Sequence, residues 1–134
     1  MTDKQTLLAY RLKQAEETLA DAAKMLQGHL SPRSIINRAY YAVFYAILAL
    51  FLQSDINPKT SKHSGVITIF DRDIVHPGKL GKRYSKIAHK LFAARQQVDY
   101  KELIEVSEED AAECVGQAKD FLNGVKLFLG KNNI

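Results

Sequence analysis

The chain of 134 residues contains no tryptophan, one cysteine, three prolines and seven glycines. The lone Cys114 excludes an internal disulfide framework and a cysteine metal cluster, and it fits a reducing compartment. The low proline and glycine content argues against disorder and against a loop-rich β architecture. These absences indicate one globular domain of ordinary composition, in which Cys114 is a small core residue and not a nucleophile.

The N-terminus and the longest apolar run both bear on whether the chain meets a membrane. The N-terminus lacks a basic region followed by an apolar run, so it does not resemble a signal peptide. The apolar run at residues 39–52 has 14 consecutive residues without a charge, which is shorter than the roughly 20 that a membrane-spanning helix needs. We therefore expect a cytoplasmic protein without a membrane segment, in which this run is a buried helix.

The apolar periodicity predicts helices and no strands. A capping box formed by Thr2 and Gln5 starts the first helix, and Gly28 ends it. Ser31 precedes a proline at the start of the second helix, and Gly130 is expected to stop the last one. The predicted helices cover residues 3–27, 32–53, 60 or 61 to between 72 and 75, 80–97, and 108–129. The predicted fold is an all-α, antiparallel bundle of about five helices in a single domain, with a core at residues 6–129.

The second predicted helix carries the segment NRAYYAVFYAILALF, residues 37–51, and is apolar nearly all round. Such a helix belongs at the centre of a bundle or at a subunit interface, so we expect a homodimer. We expect Tyr40 at the dimer interface, whereas Tyr41 shares a face with Asn37 and Tyr45 that predicts a polar slot between helices. A seam of small residues that admits a neighbouring helix runs along it: Ala39, Ala42, Ala46 and Ala49.

Charge is distributed unevenly along the second half of the chain. Residues 99–120 contain eight acids against two lysines. One interpretation is that the basic segment before them attracts phosphate or an acidic partner. The other is that the two segments neutralise each other across the fold or across a dimer. The basic segment, residues 74–98, has no acid and six positive side chains, namely Lys79, Lys82, Arg83, Lys86, Lys90 and Arg95.

Three segments together resemble the HEPN family of small prokaryotic helical bundles: NRAYYAVFYA at 37–46, KHSGVI at 62–67 and RQQVDY at 95–100. The resemblance covers residues 6–129 and implies a dimeric helical bundle. It also implies a partner, because many HEPN proteins are encoded beside a minimal nucleotidyltransferase and form toxin–antitoxin pairs with it. No cofactor is indicated, and the histidines and carboxylates lack the spacing of a metal site.

In active HEPN toxins, an arginine and a following histidine, with four to six residues between them, form a metal-independent ribonuclease site. The histidine moves a proton, and the arginine holds the phosphate. The corresponding arginine here is Arg95, but no histidine follows it. Arg72 and His76 are one residue too close for the motif, and Arg83 and His89 satisfy its spacing in surroundings that do not match.

The candidate catalytic residues are therefore Arg95 and His63. Arg95 and Asp99 are four residues apart, so they form either a structural ion pair on one helix or part of a groove that binds phosphate. His63 lies near a helix start, where backbone amides favour anions, although it is equally explained as a neighbour of the cap. His76 and His89 are expected on the surface. The candidate nucleotide- or RNA-binding residues are Lys62, Tyr41, Asp99, Tyr100, Lys82 and Lys86.

The leading functional hypothesis is a non-enzymatic or weakly enzymatic HEPN protein. It would act as a cytoplasmic homodimer with a nucleotidyltransferase partner and would bind nucleotide or RNA in its groove. The first alternative is an active, metal-independent, RNA-cleaving toxin that uses Arg95 with His63 or another histidine. The second alternative is a purely structural dimerisation bundle.

Overall fold

The computed structural model describes residues 2–100 and 105–132, and these ranges contain five α-helices and no strand. The all-α prediction is confirmed. A short π-helical turn, Asp71–Val75, continues the third helix. In chain order the helices are α1 (Asp3–Gln27), α2 (Pro32–Gln53), α3 (His63–Phe70), α4 (Lys82–Tyr100) and α5 (Glu108–Asn132).

The start of α1 is the predicted capping box. The Thr2 hydroxyl accepts a hydrogen bond from the Gln5 N–H at 3.1 Å, and the Gln5 side chain accepts one from the Thr2 N–H at 3.0 Å. Gly28 ends the helix as predicted, but the left-handed residue is His29, with a φ of 56°. The turn therefore uses His29, and not the glycine, for its left-handed position.

Three predicted helices differ from the structure at one or both ends. Helix α3 begins at His63, and not at Thr60 or Ser61, because Lys62 is extended and donates its N–H to the Thr60 hydroxyl. Helix α4 begins two residues later than predicted and continues through Tyr100. Its last turn is held by a hydrogen bond from Arg33 to the Val98 carbonyl at 2.6 Å. Helix α5 continues past Gly130, since a helical glycine costs only about 1 kcal/mol.

Helix α2 lies at the centre of the bundle, where α1, α4 and α5 all pack against it. The alanine seam is fully buried, so neighbouring helices approach closely along it. The apolar surface that suggested a subunit interface is therefore covered within the chain, and dimerisation no longer follows from the composition of α2. Its largest buried side chains are Ile35, Ile36, Tyr40, Ile47, Leu50 and Phe51.

By length and composition alone, α2 is able to span a membrane, because it has 22 residues and a mean hydropathy of 1.7 over its most apolar window. Its packing supports a different environment. Of its most apolar window, 67% is buried inside the bundle. This is the arrangement of a core helix in a soluble protein.

Ion pairs between α4 and α5 support the interpretation that the basic and acidic segments face each other within the fold. Lys90 pairs with Glu113, and Arg83 lies 3.6 Å from Asp120. Each exposed pair contributes no more than about 1 kcal/mol. Cys114 lies in the same interface, where burial raises the pKa of its thiol to about 11. It is a core residue, as predicted.

A pair of glycines in α5 tests the packing of α4 on α5. A Cβ at Gly124 would overlap the Tyr84 ring, which packs edge-on against Phe121, whereas nothing lies near a Cβ at Gly116. We expect Gly124→Ala to lower the free energy of unfolding by about 1–2 kcal/mol through overpacking. The control Gly116→Ala should raise it by up to about 1 kcal/mol. Urea denaturation measures both, and equal stabilisation by the two variants would contradict the packing described.

Candidate functional site

Three helices bring Tyr40, His63 and Arg95 together, although these residues are far apart in the sequence. The Tyr40 hydroxyl lies 2.7 Å from His63 Nδ1, and Arg95 Nη1 lies 3.1 Å from the same nitrogen. The structure therefore places the two predicted catalytic residues in contact. We call the group formed by these three residues with Tyr41, Phe44 and Asp99 the Arg95 cluster.

Aromatic rings of α2 form one wall of the Arg95 cluster. Tyr40 and Phe44 are four residues apart, so they face the same side of the helix. His63, the first residue of α3, stacks on Phe44 with ring centroids 4.1 Å apart and an interplanar angle of 11°. The ring of Tyr41 meets His63 edge-on at 5.6 Å. His63 is thus held by packing as well as by its hydrogen bonds.

Arg95 projects from α4 onto this wall. Its guanidinium carbon lies 5.1 Å from the centroid of the Tyr40 ring and 5.3 Å from that of Tyr41, within the range of cation–π attraction. Arg95 Nε donates to Asp99 Oδ2 at 3.0 Å, so the predicted ion pair is present. The two interpretations of Arg95 therefore coexist. The ion pair holds a guanidinium that also lies beside His63.

The contacts of His63 indicate its protonation state. An arginine only donates hydrogen bonds, so His63 Nδ1 acts as an acceptor. The Tyr40 hydroxyl donates to the same lone pair, which leaves the imidazole proton on Nε2. Burial lowers the pKa of His63, and the positive charge of Arg95 lowers it further. At neutral pH the imidazole is uncharged.

This arrangement suits the binding of an anion better than the transfer of a proton. The neutral imidazole has one lone pair, and Arg95 and Tyr40 both occupy it, so His63 has no free acceptor for a ribose hydroxyl proton. Arg95 carries five N–H groups; Nε donates to Asp99, Nη1 donates to His63, and the guanidinium also hydrogen-bonds the Tyr40 hydroxyl. Its side chain is 17% exposed. The remaining N–H groups are available to a phosphate or carboxylate.

The prediction that Tyr40 lies at a dimer interface is wrong. Its side chain is 1% exposed, and its hydroxyl is bonded to His63. Burial raises the pKa of that hydroxyl above its ordinary value, although the nearby Arg95 charge opposes the effect. Tyr40 belongs to the core and to the site, because the face of α2 that carries it is covered by α3 and α4.

Tyr41, in contrast, lines an open groove beside the Arg95 cluster. We call this cavity of about 490 Å³ the α1–α2 groove. It contains the predicted stripe of Asn37, Tyr41 and Tyr45, and the rings of the two tyrosines lie 5.9 Å apart. The three residues of the predicted stripe therefore line one cavity, and its role as a binding slot stays a prediction. Its lining residues are Met25, Ser34, Asn37, Arg38, Tyr41 and Tyr45.

The predicted lysines do not all belong to this site. Lys62 is exposed at the N-terminal cap of α3, directly before His63. Lys82 and Lys86 line a separate cavity of about 580 Å³ with Asp71 and His76. Lys82 lies about 20 Å from the position of Arg95 along α4, at 1.5 Å per residue. Tyr100 ends α4, and its side chain lies outside the described part of the structure.

The arginine–histidine spacing within α4 does not produce a second site. Arg83 faces α5, where it pairs with Asp120. His89 is bonded to Asp71 in the π-helical turn. The two side chains contact different elements, so their sequence spacing is a coincidence. His89 is half-exposed, as predicted, and no cluster of metal-binding side chains occurs among the described residues.

Sequence reasoning missed the roles of Phe44 and Tyr40 in the site. The spacing of four residues between them signals a shared face of α2. It does not indicate which element covers that face. The two rings become part of the site because α3 packs beside them and places His63 against both, and this contact is visible only in the tertiary structure.

The charge of Arg95 should be measurable in the titration of His63. In the wild type we expect a His63 pKa below the ordinary value, measured by NMR. Arg95→Met keeps much of the packing and removes the charge, so the pKa should rise while staying below its ordinary value, because burial is the larger cause. Lys62→Ala is the matched control and should leave the pKa unchanged. An unchanged pKa in Arg95→Met would contradict the proximity of the two groups.

His63 should also make stability depend on pH. Because its pKa is lowered in the folded protein, the unfolded chain binds a proton in a window below pH 6.5 that the folded protein does not bind. The free energy of unfolding should therefore fall as the pH drops through that window. We expect His63→Asn to have a shallower dependence there in urea denaturation from pH 7 to 5. Parallel curves for the two proteins would refute this contribution.

Comparison with known proteins identifies the family of the chain. The sequence profile of the HEPN domain matches residues 8–128. A UPF0332 protein of Thermotoga maritima is 36% identical over 129 residues, which is 96% of each chain.

Two proteins of Methanocaldococcus jannaschii, both named "putative toxin", are also similar. One is 32% identical over 92% of this chain and 82% of its own, and the other is 37% identical over 86% and 83%. The profile match spans all five helices and the Arg95 cluster, and the relatives cover most of the chain. The protein therefore belongs to the HEPN family.

Proposed function

We propose that this HEPN protein binds the phosphate groups of a nucleotide or of RNA at the Arg95 cluster, in a toxin-like role. The observation that carries the proposal is the state of Arg95. Its guanidinium is positioned by Asp99, His63 and two tyrosine rings, and its five N–H groups outnumber the three side chains that accept from it, while 17% of the side chain stays exposed. Preorganised N–H groups of this kind bind phosphate without a further ordering cost.

Binding is favoured over cleavage by the state of His63. A general base needs a free lone pair within reach of the substrate hydroxyl. His63 Nδ1 is occupied by Arg95 and Tyr40, and the lowered pKa disfavours the imidazolium form that a general acid needs at neutral pH. The Nε2–H is able to donate to a phosphate oxygen. His63 therefore acts as a positioning residue for Arg95 in this proposal.

The proposal includes a partner. A cytoplasmic homodimer that pairs with a minimal nucleotidyltransferase is what HEPN membership suggests, and the two relatives named as toxins support a toxin–antitoxin context. Co-expression of the chain with such a nucleotidyltransferase, followed by size-exclusion chromatography, tests both parts. If the chain elutes as a monomer and never together with the nucleotidyltransferase, both the homodimer and the partner are excluded from the proposal.

An active ribonuclease is the second candidate function, and the contact between Arg95 and His63 favours it. A phosphate bound at Arg95 adds negative charge beside His63, which offsets the arginine charge that lowers its pKa. If Arg95 then turns toward the phosphate, Nδ1 loses one of its two donors. Cleavage would therefore depend on substrate binding and would need no metal.

The two functions separate in an RNA-binding experiment. We expect the wild type to bind single-stranded RNA at low salt and Arg95→Ala to bind it about ten- to a hundredfold more weakly, since hydrogen bonds to charged groups contribute about 1.5–3 kcal/mol. Arg83→Ala is the matched control, because it removes the same charge from the other end of α4. Fluorescence anisotropy measures the affinities.

Equal losses in Arg95→Ala and Arg83→Ala would show general attraction to charge and would contradict a specific site. Absence of binding by the wild type would refute the proposal and support a structural role. The same samples, incubated without metal and analysed by gel electrophoresis, report cleavage. Cleavage that is lost in both Arg95→Ala and His63→Asn, with the fold intact by circular dichroism, would establish the ribonuclease.

A further inference from the structure

The α1–α2 groove is continuous with the Arg95 cluster through one residue. Tyr41 lines the groove, and its ring also contacts the Arg95 guanidinium at 5.3 Å. We propose that the groove is a nucleobase site, in which the base of a nucleotide stacks on Tyr41 and Tyr45 while a phosphate is held at Arg95. This inference rests on the proposed function and adds the part of the ligand that the groove recognises.

The groove residues form one continuous face of α2. Ser34, Asn37 or Arg38, Tyr41 and Tyr45 recur at intervals of three and four residues, so their side chains follow one another along the helix. The two tyrosine rings are tilted by 36° with centroids 5.9 Å apart. Both side chains are half-buried, so their rings are anchored in the bundle and still face the cavity. Anchored aromatic rings of this kind stack with bases of any sequence.

The polar end of the groove offers groups that suit a nucleotide. Arg38 is exposed and makes no ion pair among the described residues. Asn37 Oδ1 is buried without a hydrogen-bond donor in the described structure. Rotation of this amide would let it bind the donor and acceptor atoms on the edge of a base. Ser34 adds a hydroxyl at the rim.

Size and charge favour a base-bearing ligand over the alternatives. A cavity of about 490 Å³ falls within the range of small-molecule sites and exceeds what a lone phosphate requires. Arg38 lies at the groove and Arg95 at the adjoining cluster, so two positive groups flank the Tyr41 ring. A base that stacks on Tyr41 would lie between the two arginines. The phosphate of that nucleotide and the phosphate of its neighbour would then each lie near one arginine, which matches the order of aromatic and cationic groups along the site.

The test compares ligands with the same phosphates and different bases. A short single-stranded RNA that contains 2-aminopurine is titrated against the protein, beside an abasic ribose-phosphate oligomer of equal length. We expect tighter binding of the base-bearing oligomer and quenching of 2-aminopurine emission by stacking. Tyr45→Leu should weaken binding of this oligomer about five- to a hundredfold and leave the abasic oligomer unaffected. The control Tyr45→Phe keeps the ring and should bind like the wild type.

Each contrary outcome has a distinct meaning. Equal affinity for both oligomers, or an unchanged affinity in Tyr45→Leu, overturns the nucleobase site while an Arg95-dependent phosphate site stands. Absence of binding to either oligomer overturns both this inference and the proposed function. Loss of a dimer in Tyr45→Leu with retained RNA affinity assigns the groove to a second copy of the chain. If Tyr45→Leu does not fold, the exposed Arg38→Gln replaces it, and an unchanged affinity there overturns the inference.

Discussion

The Tyr40 hydroxyl is a polar group on the most buried helix of the bundle, and a buried hydroxyl needs a hydrogen-bond partner. His63 supplies that partner from the first turn of α3, and Arg95 donates to the same nitrogen from α4. The requirement to satisfy one core hydroxyl thereby aligns three helices at one point. The same contacts therefore serve both the packing of the core and the chemistry of the site. Any shift of α3 against α2 would break the stacking of His63 on Phe44 and its hydrogen bond to Tyr40 together.

The same arrangement explains why this HEPN chain differs from the arginine–histidine pattern of the active toxins. Its histidine reaches Arg95 from another helix, and the contact uses the lone pair that proton transfer would need. The residue types of a ribonuclease are present, but burial and the Arg95 charge lower the pKa of His63 and favour its neutral imidazole, while Asp99 positions the guanidinium. This is why we propose that the cluster recognises phosphate, and catalysis in the alternative function would require Arg95 to move.

Positive charge alone does not locate the site. The basic segment of α4 divides between ion pairs with α5 and a separate cavity around Lys82 and Lys86. Arg95 is the member of that segment that is both partly buried and placed over aromatic rings. Burial strengthens its interaction with an anion, because the surrounding solvent screens it less than it screens an exposed lysine.

Local sequence determined the helices, because capping boxes and apolar periodicity act within a few residues. The start of α1, the buried character of α2 and the pairing of Arg95 with Asp99 are all consequences of spacing along one helix. Contacts between helices were decided only by the tertiary structure. Tyr40 was misassigned because its neighbours on α2 do not reveal that α3 covers them, and Lys82 was grouped with Arg95 because proximity in sequence hid a separation along α4. The site depends on how α2, α3 and α4 pack, and that packing results from the burial of the whole apolar surface and not from any single motif.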